Sequence, residues 1–167
     1  MNNMNIKVFD NFLEDLDRDY IQSYLNENKW VLQISDQHKS IGLDFLMMNI
    51  PKDNFFHKHL FSKIEKILNK SFSIERIYFN GQFAGRHGSF HRDQCDRTVL
   101  IYLNDYYDPE WGGFTQLIGD KYPQTETIMP LPNRMVVFDG NNLHKGYAYS
   151  YQNCPMRISL AYKLNYI

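Results

Sequence analysis

The 167-residue chain is short of several things, and each shortage removes a class of explanation. It has only two cysteines, Cys95 and Cys154. Their spacing fits neither a thiolate metal site nor a redox dithiol, so reduced thiols in a cytosolic protein are expected. Neither charge is in excess: 18 Lys and Arg stand against 19 Asp and Glu, a formal net charge of -1. General binding of nucleic acid or of an anionic membrane is not expected, because both draw on a basic surplus. No apolar run is long enough to span a bilayer. Met1-Asn2-Asn3-Met4-Asn5 lacks the charged and apolar regions of a secretory signal. Repeats, low-complexity tracts and linkers are missing too. The expectation is one soluble, cytoplasmic domain over 1–167, long enough for a real core.

What the chain has in plenty is aromatic residues, 16% with 12 Tyr and 12 Phe, which suits a strand-rich fold with a crowded interior. Leu16, Tyr20, Ile21, Tyr24 and Leu25 recur at helical spacing, predicting an amphipathic helix over about 14–28. Phe56, Leu60, Ile64, Ile67 and Leu68 predict a second, started by Asp53 as N-cap and ending near Lys70. Short strands are expected at 6–9, 30–34 and 43–49, with a polar loop at 35–42. From Ser73 onward β-rich runs follow at 73–83, 89–93, 97–104, 113–118, 126–129, 134–139, 144–149 and 157–164. Gly, Pro, Asn and Asp separate them. Closely spaced short strands indicate a sandwich or barrel. The fold class is therefore mainly β with flanking helices: helical support over about 1–72, then a jelly-roll core over about 73–167.

Within that core, His91 and Asp93 are one residue apart, which in a strand puts both side chains on one face. Alone, the pair reads equally well as a surface turn. Three features add weight. The pair directly precedes the strand Thr98-Val-Leu-Ile-Tyr-Leu-Asn104. His144 follows the strand and turn Arg134-Met-Val-Val-Phe-Asp-Gly140. Arg157 opens the last strand, where Arg157, Ser159, Ala161 and Lys163 share a face. Two His and one carboxylate hold a non-haem Fe(II) with positions left open, which a 2-oxo acid and dioxygen fill in a 2-oxoglutarate oxygenase. An inward Arg pairs with the distal carboxylate of such a co-substrate through two charge-assisted hydrogen bonds.

The span from about Tyr78 to Lys163 resembles the Fe(II)/2-oxoglutarate dioxygenases, above all the prolyl 4-hydroxylase-like branch of bacteria and phages. The resemblance rests on Gly88-Ser-Phe-His-Arg-Asp93, Tyr102-Leu-Asn104, Trp111-Gly-Gly-Phe-Thr115, Phe138-Asp-Gly140, His144 and Arg157-Ile-Ser159, in that order. It implies a double-stranded β-helix (cupin-like) core, with Fe(II) held by His91, Asp93 and His144. It places 2-oxoglutarate on Arg157, assisted by Tyr102, Thr115 and Ser159, with Asn80 or Tyr78 at its metal-binding end. Dioxygen is the second co-substrate and ascorbate an accessory reductant. The implied reaction is hydroxylation of an unactivated C–H bond in a peptidyl or free amino acid. Arg86, His87, Trp111 and Lys163 are candidates for lining the substrate entrance; many prolyl hydroxylases have tryptophan at the position of Lys163. Two alternatives stay open: a nucleic-acid demethylase-type oxygenase of the same superfamily, and a metal-binding cupin-like protein without oxygenase activity. The implied partner is a peptide, a protein or a small molecule.

Other motifs carry less. His91-Arg92-Asp93 is not a kinase catalytic loop, since Thr98 stands where that loop needs Asn. His57 and His59 lie two apart on a predicted helix, point apart, and are expected to be solvated. His38 falls in the polar loop.

Overall fold

Strict alternation along the longest strands sets the layers. The computed structural model describes residues 4–33, 45–119 and 124–167; the 35–42 loop and His38 lie outside them. Seven strands form one antiparallel sheet: β1 (Lys7–Phe9), β2 (Val31–Gln33), β3 (Phe45–Asn49), β4 (Phe72–Gln82), β5 (Arg97–Tyr102), β8 (Met135–Asp139) and β10 (Arg157–Tyr166), in the order β1-β8-β5-β10-β4-β3-β2. A smaller antiparallel sheet has β6 (Thr115–Ile118) between β7 (Thr125–Ile128) and β9 (Leu143–Gly146). The N-terminal part is thus not support alone, because β1, β2 and β3 extend the large sheet.

On β10, Leu160, Tyr162 and Leu164 face one way, joined by Phe79, Val99, Ile101 and Val137 from neighbouring strands. They pack under helix α1 (Asp15–Glu27) and under a helical stretch that begins as a π-helical turn (Phe55–Leu60) and continues as α2 (Phe61–Leu68). The other face carries Ala161 with Tyr78, Leu100, Tyr102, Val136 and Phe138, which meet Leu117 and Ile128 of the small sheet. This is the two-sheet sandwich of a jelly roll, with α1 and α2 on the outer face of the large sheet. Arg157, Ser159 and Lys163 share the inner face with Ala161, opposite Gln82, Asn80, Tyr78 and Arg76 on β4.

The first helix corrects one expectation. It buries Asp17, Ile21 and Leu25, while Leu16 is 80% exposed. Asp17 goes inward because its carboxylate has partners there. The Glu14 N–H, His59 Nε2 and Lys63 Nζ lie 3.1, 2.8 and 2.6 Å from its oxygens, and a paired, hydrogen-bonded carboxylate tolerates burial. His59 is accordingly a partner of Asp17 and not merely solvated. Asp53 does cap the second helical stretch, accepting from the Phe55 and Phe56 N–H groups at 2.8 and 3.2 Å. The π turn lets both neighbours find rings: Phe55 stacks on Tyr20 at 4.1 Å and Phe56 meets Tyr24 edge-on at 4.9 Å.

Burial pushes the Asp17 carboxyl up, but Lys63, His59 and the Glu14 amide together hold it below its ordinary value. A depressed carboxylate stabilises the fold at neutral pH, and this contribution fades as pH falls through its folded-state value. Asp17→Ala is expected to cost about 2–3 kcal/mol at neutral pH. Urea denaturation should show the gap to wild type closing below about pH 4.

Candidate metal centre

The segment that carries His91 and Asp93 is not a strand, which corrects the expectation for 89–93. It runs beside β9 and makes one isolated bridge, His91 to His144, with two reciprocal backbone bonds of 3.0 Å. Gly88 donates to the Gly146 carbonyl at 2.9 Å and Asp93 to the Gly140 carbonyl at 2.8 Å. Gln94 then takes φ of 56° and turns the chain into β5. The pairing is too sparse for a strand, yet it sets the two histidines side by side, with ring centroids 4.3 Å apart.

The ligand-type atoms of His91, Asp93 and His144 all lie within 4.8 Å of one another. His91 Nε2 is 3.4 Å from Asp93 Oδ1, and His144 Nε2 is 3.2 Å from Oδ2. Each imidazole is fixed from behind: His91 Nδ1 meets the Ser89 carbonyl and His144 Nδ1 the Asn142 carbonyl, both at 2.8 Å. A carbonyl only accepts, so Nδ1 donates in both rings, and a ring in its neutral form offers a lone pair at Nε2. Burial pushes the His144 pKa down, favouring the neutral ring. With both rings neutral, two lone pairs face a carboxylate with no hydrogen between them. That arrangement is repulsive unless a cation sits among the three, so the residues fit a metal. Two imidazoles and one carboxylate are the donor set of a non-haem Fe(II) site.

Asp93 is braced on the far side. Its Oδ2 accepts from Thr98 Oγ1 and from Lys163 Nζ. Burial pushes its pKa up, but the adjacent Lys163 charge holds it well below the usual carboxylate range.

Arg157 stands in the same cavity, which has a volume of about 470 Å³. It is 2% exposed. Its Nε donates to the Gly113 carbonyl at 2.6 Å, Nη1 to Gln82 Oε1 at 2.9 Å and Nη2 to Thr115 Oγ1 at 3.1 Å. A guanidinium has five N–H groups, so each terminal nitrogen keeps one unused. Thr115 Oγ1 also accepts from the Tyr102 hydroxyl at 2.8 Å, which leaves its own hydrogen to donate. Burial pushes the Arg157 pKa down, and the groups that support its charge are tyrosines. Among the described residues no carboxylate pairs with it. A buried cation with spare donors and no anion is costly, and a ligand carboxylate would complete it.

Several expected site residues meet in this cavity. Asn80, Tyr78, Ser159 and Thr115 line it beside the His-Asp-His group. Tyr102 lies behind Thr115, with the Arg157 guanidinium 5.2 Å from its ring centre. The Asn80 Oδ1 is buried without a partner. Of the residues expected at the entrance, Lys163 lines the cavity but points at Asp93. Arg86, His87 and Trp111 are not in the lining. His87 Nδ1 accepts from the Ala148 N–H at 3.0 Å, and Trp111 packs on Tyr149 at 5.2 Å. A backbone bond occupies His87 and aromatic packing occupies Trp111.

Three contributors were not evident in sequence. Gln82 holds Arg157, and its Nε2 also donates to the Gly146 carbonyl at 3.2 Å; only its register opposite Arg157 reveals this. Thr98 looks like any strand threonine. Gly113 counted in the sequence only as part of the Trp111-Gly-Gly-Phe-Thr115 motif, with no role of its own. Its φ of +71° excludes ordinary side chains, and a Cβ there would lie 2.4 Å from the Tyr149 ring, so the loop can bring its carbonyl to Arg157.

The 2OG-Fe(II) oxygenase superfamily model matches residues 74–162. The fold is similar to an oxidoreductase of the 2OG-Fe(II) oxygenase family from Burkholderia pseudomallei (13% identity, TM-score 0.76, covering 96% of this chain and 85% of that one). It is similar too to a Trichoplax adhaerens prolyl hydroxylase solved with a hypoxia inducible factor peptide (18%, 0.74, 98% and 84%), and to a Pseudomonas putida prolyl-4-hydroxylase (17%, 0.69, 99% and 94%). No sequence match is found among curated proteins. Among the described residues no helix is long and apolar enough to cross a membrane. With more than half its length matched by the family model and a jelly roll of the same kind, this chain belongs to the 2OG-Fe(II) oxygenase superfamily and is a dioxygenase.

Proposed function

We propose that this enzyme hydroxylates an unactivated C–H bond of a peptidyl or free amino acid, in the manner of a prolyl 4-hydroxylase. In this reading His91, Asp93 and His144 hold Fe(II), and Arg157 with Thr115 receives the distal carboxylate of 2-oxoglutarate. The observation that carries it is Arg157: buried, without an anion, and offering two N–H groups into the cavity that contains the His-Asp-His cluster. A metal-binding cupin-like protein would have no use for such a cation.

When bound, the iron supplies the oxidising chemistry with dioxygen and 2-oxoglutarate. The chain supplies position. Gln82 and the Gly113 carbonyl fix the guanidinium plane so that its free N–H pair meets a carboxylate in bidentate fashion. Thr115 adds a third donor. Ser159 supports the same end, and Asn80 and Tyr78 meet the opposite end of the co-substrate near the metal. For the substrate, support comes from the fold shared with the Trichoplax and Pseudomonas prolyl hydroxylases.

Anaerobic titration with Fe(II) followed by 2-oxoglutarate tests the assignment. The expected result is the weak visible charge-transfer band of a 2-oxo acid chelated to Fe(II), absent with either component alone. Metal binding without that band on adding 2-oxoglutarate would point to a cupin-like binder. Succinate release screened against proline-rich peptides, free amino acids and methylated oligonucleotides then distinguishes the substrate classes.

A further inference from the structure

Lys163 on β10 and Thr98 on β5 are register partners, directly opposite each other. Both project toward Asp93, and both donate to the same oxygen, Oδ2. Thr98 is fully buried and Lys163 is 7% exposed, so neither head group wanders freely in solvent. Lys163 also sits 5.7 Å from the Tyr78 ring centre. Arg76, its cross-strand neighbour on β4, is drawn aside by Asn49 Oδ1 at 2.8 Å. By contrast, Oδ1 of Asp93 faces only the lone pair on His91 Nε2. Oδ2 thus takes both donors, with His144 Nε2 3.2 Å from it, while Oδ1 is left toward His91.

On the reading that Asp93 is a metal ligand, we infer that Lys163 and Thr98 are positioning residues that reserve Oδ2 for hydrogen bonding, so that Asp93 meets the metal through Oδ1 alone and beside a fixed positive charge. Two consequences follow. The carboxylate is kept from closing on the metal with both oxygens, which preserves open positions for the co-substrate and oxygen. The lysine charge, and the electron density that both donors draw from Asp93, favour the ferrous ion over the more highly charged ferric ion. A lysine that served only to neutralise a buried carboxylate would influence stability and leave the metal's electronic properties alone.

The test loads the full chain anaerobically with Co(II) or Fe(II) alone, without co-substrate, and compares wild type with K163M, K163R and T98V. K163M is expected to shift the visible bands of bound Co(II), as Oδ2 becomes free to chelate. Its ferric-to-ferrous ratio at a given potential should rise about tenfold, a midpoint lower by about 59 mV. K163R should keep the midpoint near wild type. T98V, an isosteric change, should move both readouts the same way by less, and it keeps the inference testable if K163M does not fold. Wild-type spectra and midpoint in both K163M and T98V, with stability alone altered, would overturn the inference. So would tighter metal binding by K163M with unchanged spectra, because Lys163 would then be a cation competing for the metal's own place. A wild-type chain that binds neither ion defeats the proposed metal centre and this inference with it. Metal binding by wild type with unaltered variants defeats the inference alone.

Discussion

Asp93→Ala and His91→Ala are expected to give the same loss of function at very different cost to the fold. Either removes one of the three proposed donors to Fe(II), so metal binding and turnover should fall below detection. The structural consequences diverge. Asp93 neutralises Lys163, which is buried and, among the described residues, has no other carboxylate beside it. Alanine at 93 leaves that ammonium stranded, and breaking such a pair costs about 3–5 kcal/mol. The His91 side chain is 34% exposed, and its ring makes one hydrogen bond to protein, to the Ser89 carbonyl. Its loss should cost about 1 kcal/mol or less. Metal titration with chemical denaturation of both variants checks the pair of outcomes. An Asp93→Ala protein as stable as wild type would mean that Lys163 had found another partner or lost its charge.

Arg157→Ala should act on the co-substrate and spare the metal. On the proposed assignment the guanidinium offers two N–H groups to the distal carboxylate, and hydrogen bonds to charged groups contribute about 1.5–3 kcal/mol each. The 2-oxoglutarate requirement is therefore expected to rise by about 100-fold or more. Fe(II) affinity should be little changed, since Arg157 bonds to Gln82, Gly113 and Thr115 and to none of the three candidate ligands. Stability can even improve in the ligand-free protein, because an uncompensated buried cation is removed. Separate binding measurements for metal and for 2-oxoglutarate make the distinction. Equal loss of both would make Arg157 part of the metal site's scaffold.

Much of this site was legible in the sequence for a simple reason. Alternation is a strict rule in strands, so placing Arg157, Ser159 and Lys163 on one face needed only the start of β10. The histidines and the aspartate were identifiable by donor type and order. What escaped notice depends on contacts between distant segments. The 88–93 segment holds its histidine by bonding to β9, and no local pattern distinguishes that from a short strand. Gln82 and Thr98 are ordinary strand residues until register sets them opposite Arg157 and Lys163. In α1 the periodicity favoured Leu16, but the partners His59 and Lys63, more than 40 residues away, drew Asp17 inward instead. Local propensity cannot anticipate a charge pair that exists only after the chain has folded.

The reciprocal bridge between His91 and His144 has a bearing on how the molecule holds together. Those two residues are far apart in the chain, and the segment containing the first is tied down by only a few backbone bonds. An ion gripped by both imidazoles becomes a staple across that seam, closing the long intervening stretch much as a covalent cross-link would. Occupancy of the centre and anchoring of the 88–93 segment are then two views of a single equilibrium. On the proposed assignment, the ion that serves the reaction would also be a structural component of the edge of the sandwich.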